Sequence, residues 1–182
     1  MAADTNVVAN YDADCILPLD AYHQAYGAIE NNTLDVVYPY QCGIYQWKAD
    51  FDMDIYKLFT YKLSTDVLDH SKTLSNSTIA CSQFIRRQTY IDSYMMNEDF
   101  VSWGCEDDEF YFRMSTLGLR IGRTNNYVYH LEHSRTHNSW FTNPNFNSNY
   151  NLWNTIKTFD KDRLVEYYEG QDYLKTRRKE LG

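Results

Sequence analysis

Three short clusters bring together side chains able to hold or move charge. Asp12-Ala13-Asp14 sets two carboxylates two residues apart, just past the β-rich run Asn6 to Asn10. Trp103-Gly104-Cys105-Glu106-Asp107-Asp108-Glu109 places four consecutive acidic residues behind a Trp-Gly pair. His130-Leu131-Glu132-His133 spaces two imidazoles three residues apart, with Ser134-Arg135 following. Carboxylates beyond a strand end can reach one cleft, because the chain leaves regular pleating there. In open α/β sheets that is where ligands sit, and paired carboxylates suit a hard divalent ion carrying phosphate oxygens. Two imidazoles at this spacing can ligate one metal from a turn or a helix end. Taken singly, each cluster has an ordinary reading. Aspartates serve turns, and a lone pair of histidines is common. Acidic residues in a helix's first turn gain about 0.3–1 kcal/mol each from the helix dipole. That explains one or two of the four carboxylates and gives no reason for the Trp-Gly entry.

The elements that must position these groups follow from periodicity. Asn6 to Asn10 reads as a strand buried on both faces, since it lacks polar alternation. Leu19 to Asn32 reads as a helix with Leu19, Tyr22, Tyr26 and Ile29 on its apolar side. Leu34 to Tyr40 and Ile79 to Ile85 are strand candidates. Asp52 to Leu68 has helical period, with Met53, Tyr56, Leu58, Phe59 and Leu63 apolar, and Arg86 to Tyr94 reads as a turn and a short helix. Phe110, Met114 and Leu117 fall four and three apart, which predicts a helix over 106–117, closed by Gly118. The acidic run is then its first turn. Leu119 to His133 reads as a strand pair around an Asn-Asn turn, and Asn149 to Lys179 as a helical tail. Strands alternating with helices indicate an α/β layered domain, and no linker interrupts it. The expected organisation is one domain over 1–182, with 146–182 as the helical tail.

Composition narrows the partners. A chain of 182 residues with 43% apolar and 16% aromatic content is long enough for a real core. Its net charge of −8, without a basic block, argues against nucleic acid and anionic membranes as partners. The 17 tyrosines furnish a half-wet core, and they also suit stacking on sugars or bases. No apolar run reaches the roughly 20 residues a membrane span needs, and the first residues lack a signal-peptide pattern. Cys15, Cys42, Cys81 and Cys105 are scattered without CxxC spacing, as expected for reduced, mostly buried thiols of a cytoplasmic protein.

Together, D-x-D, W-G-x-E-D-D, H-x-x-H-S-R and Asn143-Pro144 resemble the catalytic half of the β-1,4-galactosyltransferase family. The resemblance runs from about Asn6 to Asn145, and the acidic motif is its most specific part. It implies an α/β GT-A (Rossmann-like) fold binding a nucleotide sugar with a divalent metal, Mn²⁺ or alternatively Mg²⁺. Asp14 and His133 match the family's metal ligands, and His130 stands where a second ligand is carried. Asp12 would lie near the nucleotide ribose. Asp107 matches the general base, while Glu106 and Asp108 would hold the acceptor sugar and Trp103 would stack on it. Gly104 and Arg135 belong to the same substrate-binding set. Ionised carboxylates only accept hydrogen bonds, which suits a ligand made of hydroxyl donors.

Two departures stand out. Cys105 occupies a position where the family often has glycine, so a larger group would narrow the acceptor pocket. Only eleven residues precede Asp12, so the expected fold lacks the N-terminal nucleotide-binding strands, and self-association through an open sheet edge would be one remedy. The implied function is transfer of a hexose or N-acetylhexosamine from a nucleotide sugar to a saccharide acceptor, with inversion. The alternatives are a non-catalytic carbohydrate-binding or assembly module and, last, a metal-dependent hydrolase.

Overall fold

Short β-rich runs alternating with amphipathic segments build a mixed α/β chain. The computed structural model describes residues 5–43, 45–50, 52–62, 64–68, 72–73, 78–134 and 136–181. In chain order the strands are β1 (Val7–Tyr11), β2 (Cys15–Ile16), β3 (Val36–Tyr38), β4 (Gln46–Asp50), β5 (Lys72–Thr73), β6 (Ser82–Arg86), β7 (Ile121–Arg123) and β8 (Val128–Glu132). The helices are α1 (Leu19–Glu30), α2 (Met53–Lys62), α3 (Arg87–Asp92), α4 (Glu106–Leu117), α5 (Phe146–Ile156), α6 (Lys161–Glu169) and α7 (Asp172–Leu181). Among the described residues no helix is long and apolar enough to cross a membrane. The chain folds into two compact units. One comprises 7–86 and 120–134; the other comprises 1–6, 87–119 and 135–182.

Among the described residues all strands lie in the first unit, in two four-stranded sheets ordered β1-β6-β3-β7 and β2-β8-β4-β5. Within each sheet one neighbouring pair is parallel, β3 with β7 and β4 with β8, and the others are antiparallel. β1 is an edge strand with Ala9 exposed and its neighbours half-buried, so it is not covered on both faces as its apolar run suggests. α1 lies against β3 and β6 through Ala21, Ala25 and Ile29, whereas Leu19 and Tyr26 face solvent. Small alanines allow the helix to sit close to Val37 and Phe84, with Ile29 filling the remaining space. β7 and β8 are not a hairpin. β7 joins β3 in one sheet and β8 joins β2 and β4 in the other. Between them Asn126, which is buried, donates to the side chains of Thr124 and Gln24 and so holds the crossing from sheet to sheet. α2 carries no buried residue; Met53, Tyr56 and Leu58 of its expected apolar side are exposed, and Leu63 lies outside the described residues.

The second unit is helical. Residues 146–181 form three helices, broken at 157–160 and at 170–171. Asp160 caps α6 by accepting from the Arg163 N–H, the usual service of aspartate at a helix start. α4 runs from Glu106 to Leu117 and ends on Gly118 in the left-handed conformation (φ 87°), whose N–H returns to Met114 and Ser115. That matches the sequence expectation. The core joins Tyr94, Phe100, Ile156, Leu164, Tyr168 and Leu174. A charged pair sits at 0% and 1% side-chain exposure, Arg113 with Glu109, bonded at 2.8 and 3.2 Å. Arg113 also donates to the Ser93 carbonyl, and Tyr168 donates to Glu109. Glu109 raises the affinity of Arg113 for its proton against the opposing effect of burial, and Tyr168 is pushed well above the ordinary phenol range, mainly by burial. Arg113 therefore stays charged with every major donor direction engaged.

Removing one partner leaves a buried charge unanswered. Glu109→Ala is expected to destabilise the chain by about 3–5 kcal/mol, read as a lower midpoint in urea unfolding. Glu109→Leu with Arg113→Met is expected to recover most of that loss.

Candidate functional site

The D-x-D and H-x-x-H clusters lie in the strand-bearing unit and the acidic motif in the helical one. The D-x-D turn and the H-x-x-H segment meet in the strand-bearing unit. β2 pairs with β8 so that Cys15 stands opposite His130, and the Leu131 N–H donates to the Asp14 carbonyl at 2.7 Å. This ladder carries Asp14 to the imidazoles. Its Oδ2 lies 2.9 Å from His133 Nε2 and 3.5 Å from His130 Nε2. The two rings are 5.8 Å apart and inclined by 28°. The three ligand atoms all fall within 4.8 Å of one another.

The other side of each ring is engaged as well. His130 Nδ1 faces Glu132 Oε1 at 3.2 Å, and His133 Nδ1 faces the Ser134 carbonyl at 3.0 Å. An acceptor at Nδ1 favours the tautomer with its proton there, which leaves the Nε2 lone pair aimed at Asp14. This is how metal-ligating histidines are oriented, by an acceptor behind the ring. Two lone pairs and a carboxylate oxygen pointing inward repel one another unless a proton or a cation lies between them. The donor set, one carboxylate and two imidazoles, suits Mn²⁺ or Zn²⁺. Glu132 was not among the residues singled out from sequence. Its signal was its place two residues after His130 on one strand, which puts both side chains on the same face.

The acidic motif lies in the helical unit, and its four carboxylates divide their work. Glu109 belongs to the buried pair with Arg113. Glu106 reaches back to accept from the Gly104 N–H at 2.6 Å and so ties the turn before α4. Asp107 is half-buried and Asp108 exposed. The entry turn is strained. Ser102, Gly104 and Cys105 have φ of 62°, 128° and 67°. Cys105 thus occupies the left-handed state that glycine adopts at little cost. Its thiol is pushed up to about 11, first by burial and then by the neighbouring carboxylates of Asp108 and Glu106, so it is neutral at pH 7.

Two buried asparagines hold this turn in shape. Asn149 bonds both to the Val101 N–H (3.2 Å) and to the Val101 carbonyl (3.0 Å). Asn143 donates to the Trp103 carbonyl, and Ser102 Oγ donates to the Asn138 carbonyl at 2.8 Å. Trp103 is itself packed, with Trp140 stacked at 5.7 Å and Phe146 at 5.8 Å. The solvent-facing members of this aromatic strip are Trp140, Phe141 and Tyr150, none of which the sequence reading named. Asp12 lies at the turn after β1 and is exposed. Arg135 lies outside the described residues.

A methyl group on Gly104 would come within 2.9 Å of the Phe146 ring, at a φ that other residues rarely adopt. Gly104→Ala is expected to cost about 1–3 kcal/mol, measured as a fall in thermal midpoint. The near-ultraviolet circular dichroism of the Trp103 aromatic strip is expected to change with it.

Residues 70–134 match a family model described as the N-terminal domain of galactosyltransferase. That span contains both the acidic motif and the two histidines. No curated protein matches the chain. Among solved structures, a Drosophila β-1,4-galactosyltransferase 7 mutant in complex with manganese, UDP-Gal and xylobiose aligns at 19% identity with a TM-score of 0.52, covering 88% of this chain and 56% of that one. The catalytic domain of Drosophila β-1,4-galactosyltransferase 7 in complex with xylobiose aligns at 19% identity with a TM-score of 0.48, covering 78% of this chain and 52% of that one. The chain therefore spans just over half the length of the solved structures it matches. Over residues 70–134 the chain is similar to that galactosyltransferase family model, and its fold is the GT-A fold of the solved β-1,4-galactosyltransferase 7.

Proposed function

We propose that this chain is the catalytic and acceptor-binding part of a metal-dependent inverting glycosyltransferase, moving a hexose or N-acetylhexosamine from a UDP-sugar to a sugar hydroxyl. One observation carries the reading: Asp14 Oδ2 set against the Nε2 atoms of His130 and His133, with both Nδ1 atoms backed by acceptors. Its support is the GT-A fold and a structural neighbour that was solved with manganese, UDP-Gal and xylobiose. Asp14, His130 and His133 would hold the divalent cation, Mn²⁺ on this reading. When bound, the cation neutralises charge on the departing diphosphate.

The chain's own residues do the rest. Asp12 orients the nucleotide at its ribose, and Arg135 adds a cationic contact to substrate. Asp107 takes the proton from the acceptor hydroxyl as that oxygen bonds to the anomeric carbon. The bond to the diphosphate breaks on the opposite face, so the anomer inverts. Glu106 and Asp108 accept hydrogen bonds from the acceptor's other hydroxyls. Trp103, extended by Trp140 and Phe141, offers apolar area against sugar C–H faces. Glu109 takes no part, because its carboxylate is committed to Arg113. A second reading, a carbohydrate-binding module without transfer, draws on the exposed aromatics Trp140, Phe141 and Tyr150.

Calorimetry separates the two. Mn²⁺ with UDP is expected to give heat that vanishes in Asp14→Ala and in His133→Ala; saccharide binding with no metal or nucleotide response would favour the module. For the chemical step, Asp107→Asn is expected to lower transfer by about 10²–10⁴-fold while Mn²⁺ and UDP heats stay unchanged. Undiminished turnover in that variant would remove Asp107 from the role of base.

A further inference from the structure

A second convergence of donor atoms lies on the same turn as Asp14. The Asp12 carboxylate and the sulfurs of Cys15 and Cys81 all fall within 4.8 Å of one another. Both cysteines are free thiols with 6% and 5% exposure, while Asp12 is exposed. The cluster is thus closed on its sulfur side and open to solvent on its oxygen side. The fold builds it from residues far apart in the chain. The last register pair of β1 with β6 is Tyr11 with Ser82, and the Asp12 N–H continues the ladder by donating to the Cys81 carbonyl at 2.8 Å. The Cys15 N–H then donates to the Asp12 carbonyl at 3.1 Å, folding Cys15 back toward Asp12. Cys81 adopts φ 69°, a left-handed state that non-glycine residues rarely take. Such outliers concentrate at ligand clamps.

We propose that Asp12, Cys15 and Cys81 bind a thiophilic divalent cation, Zn²⁺ or Cd²⁺, at a site distinct from the one formed by Asp14, His130 and His133. Around a tetrahedral zinc, with Zn–S about 2.3 Å and Zn–O about 2.0–2.2 Å, donors stand roughly 3.5–3.8 Å apart, inside the separation seen here. Binding exchanges two S–H bonds for two metal–sulfur bonds, and both protons pass to water. The fourth position is left to a water molecule on the open side. Donor softness sorts the ions: thiolates select Zn²⁺ and its heavier congener, whereas Mn²⁺ prefers the oxygen and nitrogen donors next door. The two sites are adjacent but separable. Asp14 turns Oδ2 to the imidazoles, while its Oδ1 lies 3.9 Å from the Cys15 sulfur. One consequence rests on the proposed transfer function: a soft ion that engages Asp12 withdraws it from the nucleotide, so zinc would inhibit.

The test is spectroscopic and needs no turnover. The full chain, kept reduced with a phosphine, is titrated with Cd²⁺ and read at the ultraviolet thiolate-to-cadmium charge-transfer band. A band that saturates at one equivalent and persists in excess Mn²⁺ is expected. Cys15→Ser and Cys81→Gly should both abolish it. The glycine variant suits the left-handed backbone at this position and so keeps the fold. Asp14→Ala and Cys105→Ser should retain the band. Absence of a band in the parent chain, or its survival in Cys81→Gly, overturns the proposal. So does an intact mass two hydrogens short that persists under reduction, which would mean the thiols are joined to each other. None of these results bears on the Mn²⁺ and UDP heats, so the transferase reading stands or falls separately.

Discussion

Arg113 fixes the helical unit. A guanidinium at 0% exposure is tolerable only where its donors find acceptors. Here Glu109 comes from one turn earlier on α4, the Ser93 carbonyl from the end of α3, and Tyr168 of α6 closes the network through Glu109. Helices α4 and α6 and the turn after α3 must therefore arrive together. The same requirement fixes the rotation of α4. With Glu109 facing inward, Glu106 is left to tie the preceding turn, and Asp107 and Asp108 stand nearer solvent. Repulsion within the acidic run is thereby relieved, since Arg113 answers the charge of Glu109 and Glu106 accepts from the Gly104 N–H.

The turn before α4 is held against its own preferences. Left-handed Ser102 and Cys105 each store on the order of 1–3 kcal/mol, and the run lasts only because Asn143, Asn149 and the Glu106 carboxylate satisfy its backbone groups. Aromatic packing adds to this by clasping Trp103 between Trp140 and Phe146. A strained, over-determined turn is a rigid one, which suits a surface meant to present carboxylates in fixed positions.

What the sequence made legible were features with strong local signals. Helix α4 ran from Glu106 to Leu117, with Gly118 as its stop, because a 3–4 apolar spacing and a left-handed cap are both short-range. Asp14, His130 and His133 were singled out by motif, and the fold brings their side-chain donor atoms within 4.8 Å of one another. What was not legible depended on long-range pairing. β2 is too short to show a pattern, β4 (Gln46–Asp50) is mostly polar, and neither reads as a strand alone. β7 and β8 mimic a hairpin, yet each finds its partner in a different sheet. The inner face of α1 is lined by alanines beside Ile29, so of the larger side chains picked out by periodicity Ile29 lies inside while Leu19 and Tyr26 face solvent. Glu132, Asn149 and Trp140 earned no notice because their roles depend on neighbours that the linear order does not reveal.

The pairing of β2 with β8 makes the histidine cluster a gauge of strand alignment. Cys15 stands opposite His130, with more than a hundred residues of chain between them. A slip of one position would exchange His130 for a tyrosine or a leucine on the facing side, since alternate residues point to opposite faces. No ligand needs to be altered for the cluster to be lost. Changes buried in the sheet and far from any charged group can erase it just as completely as deleting Asp14.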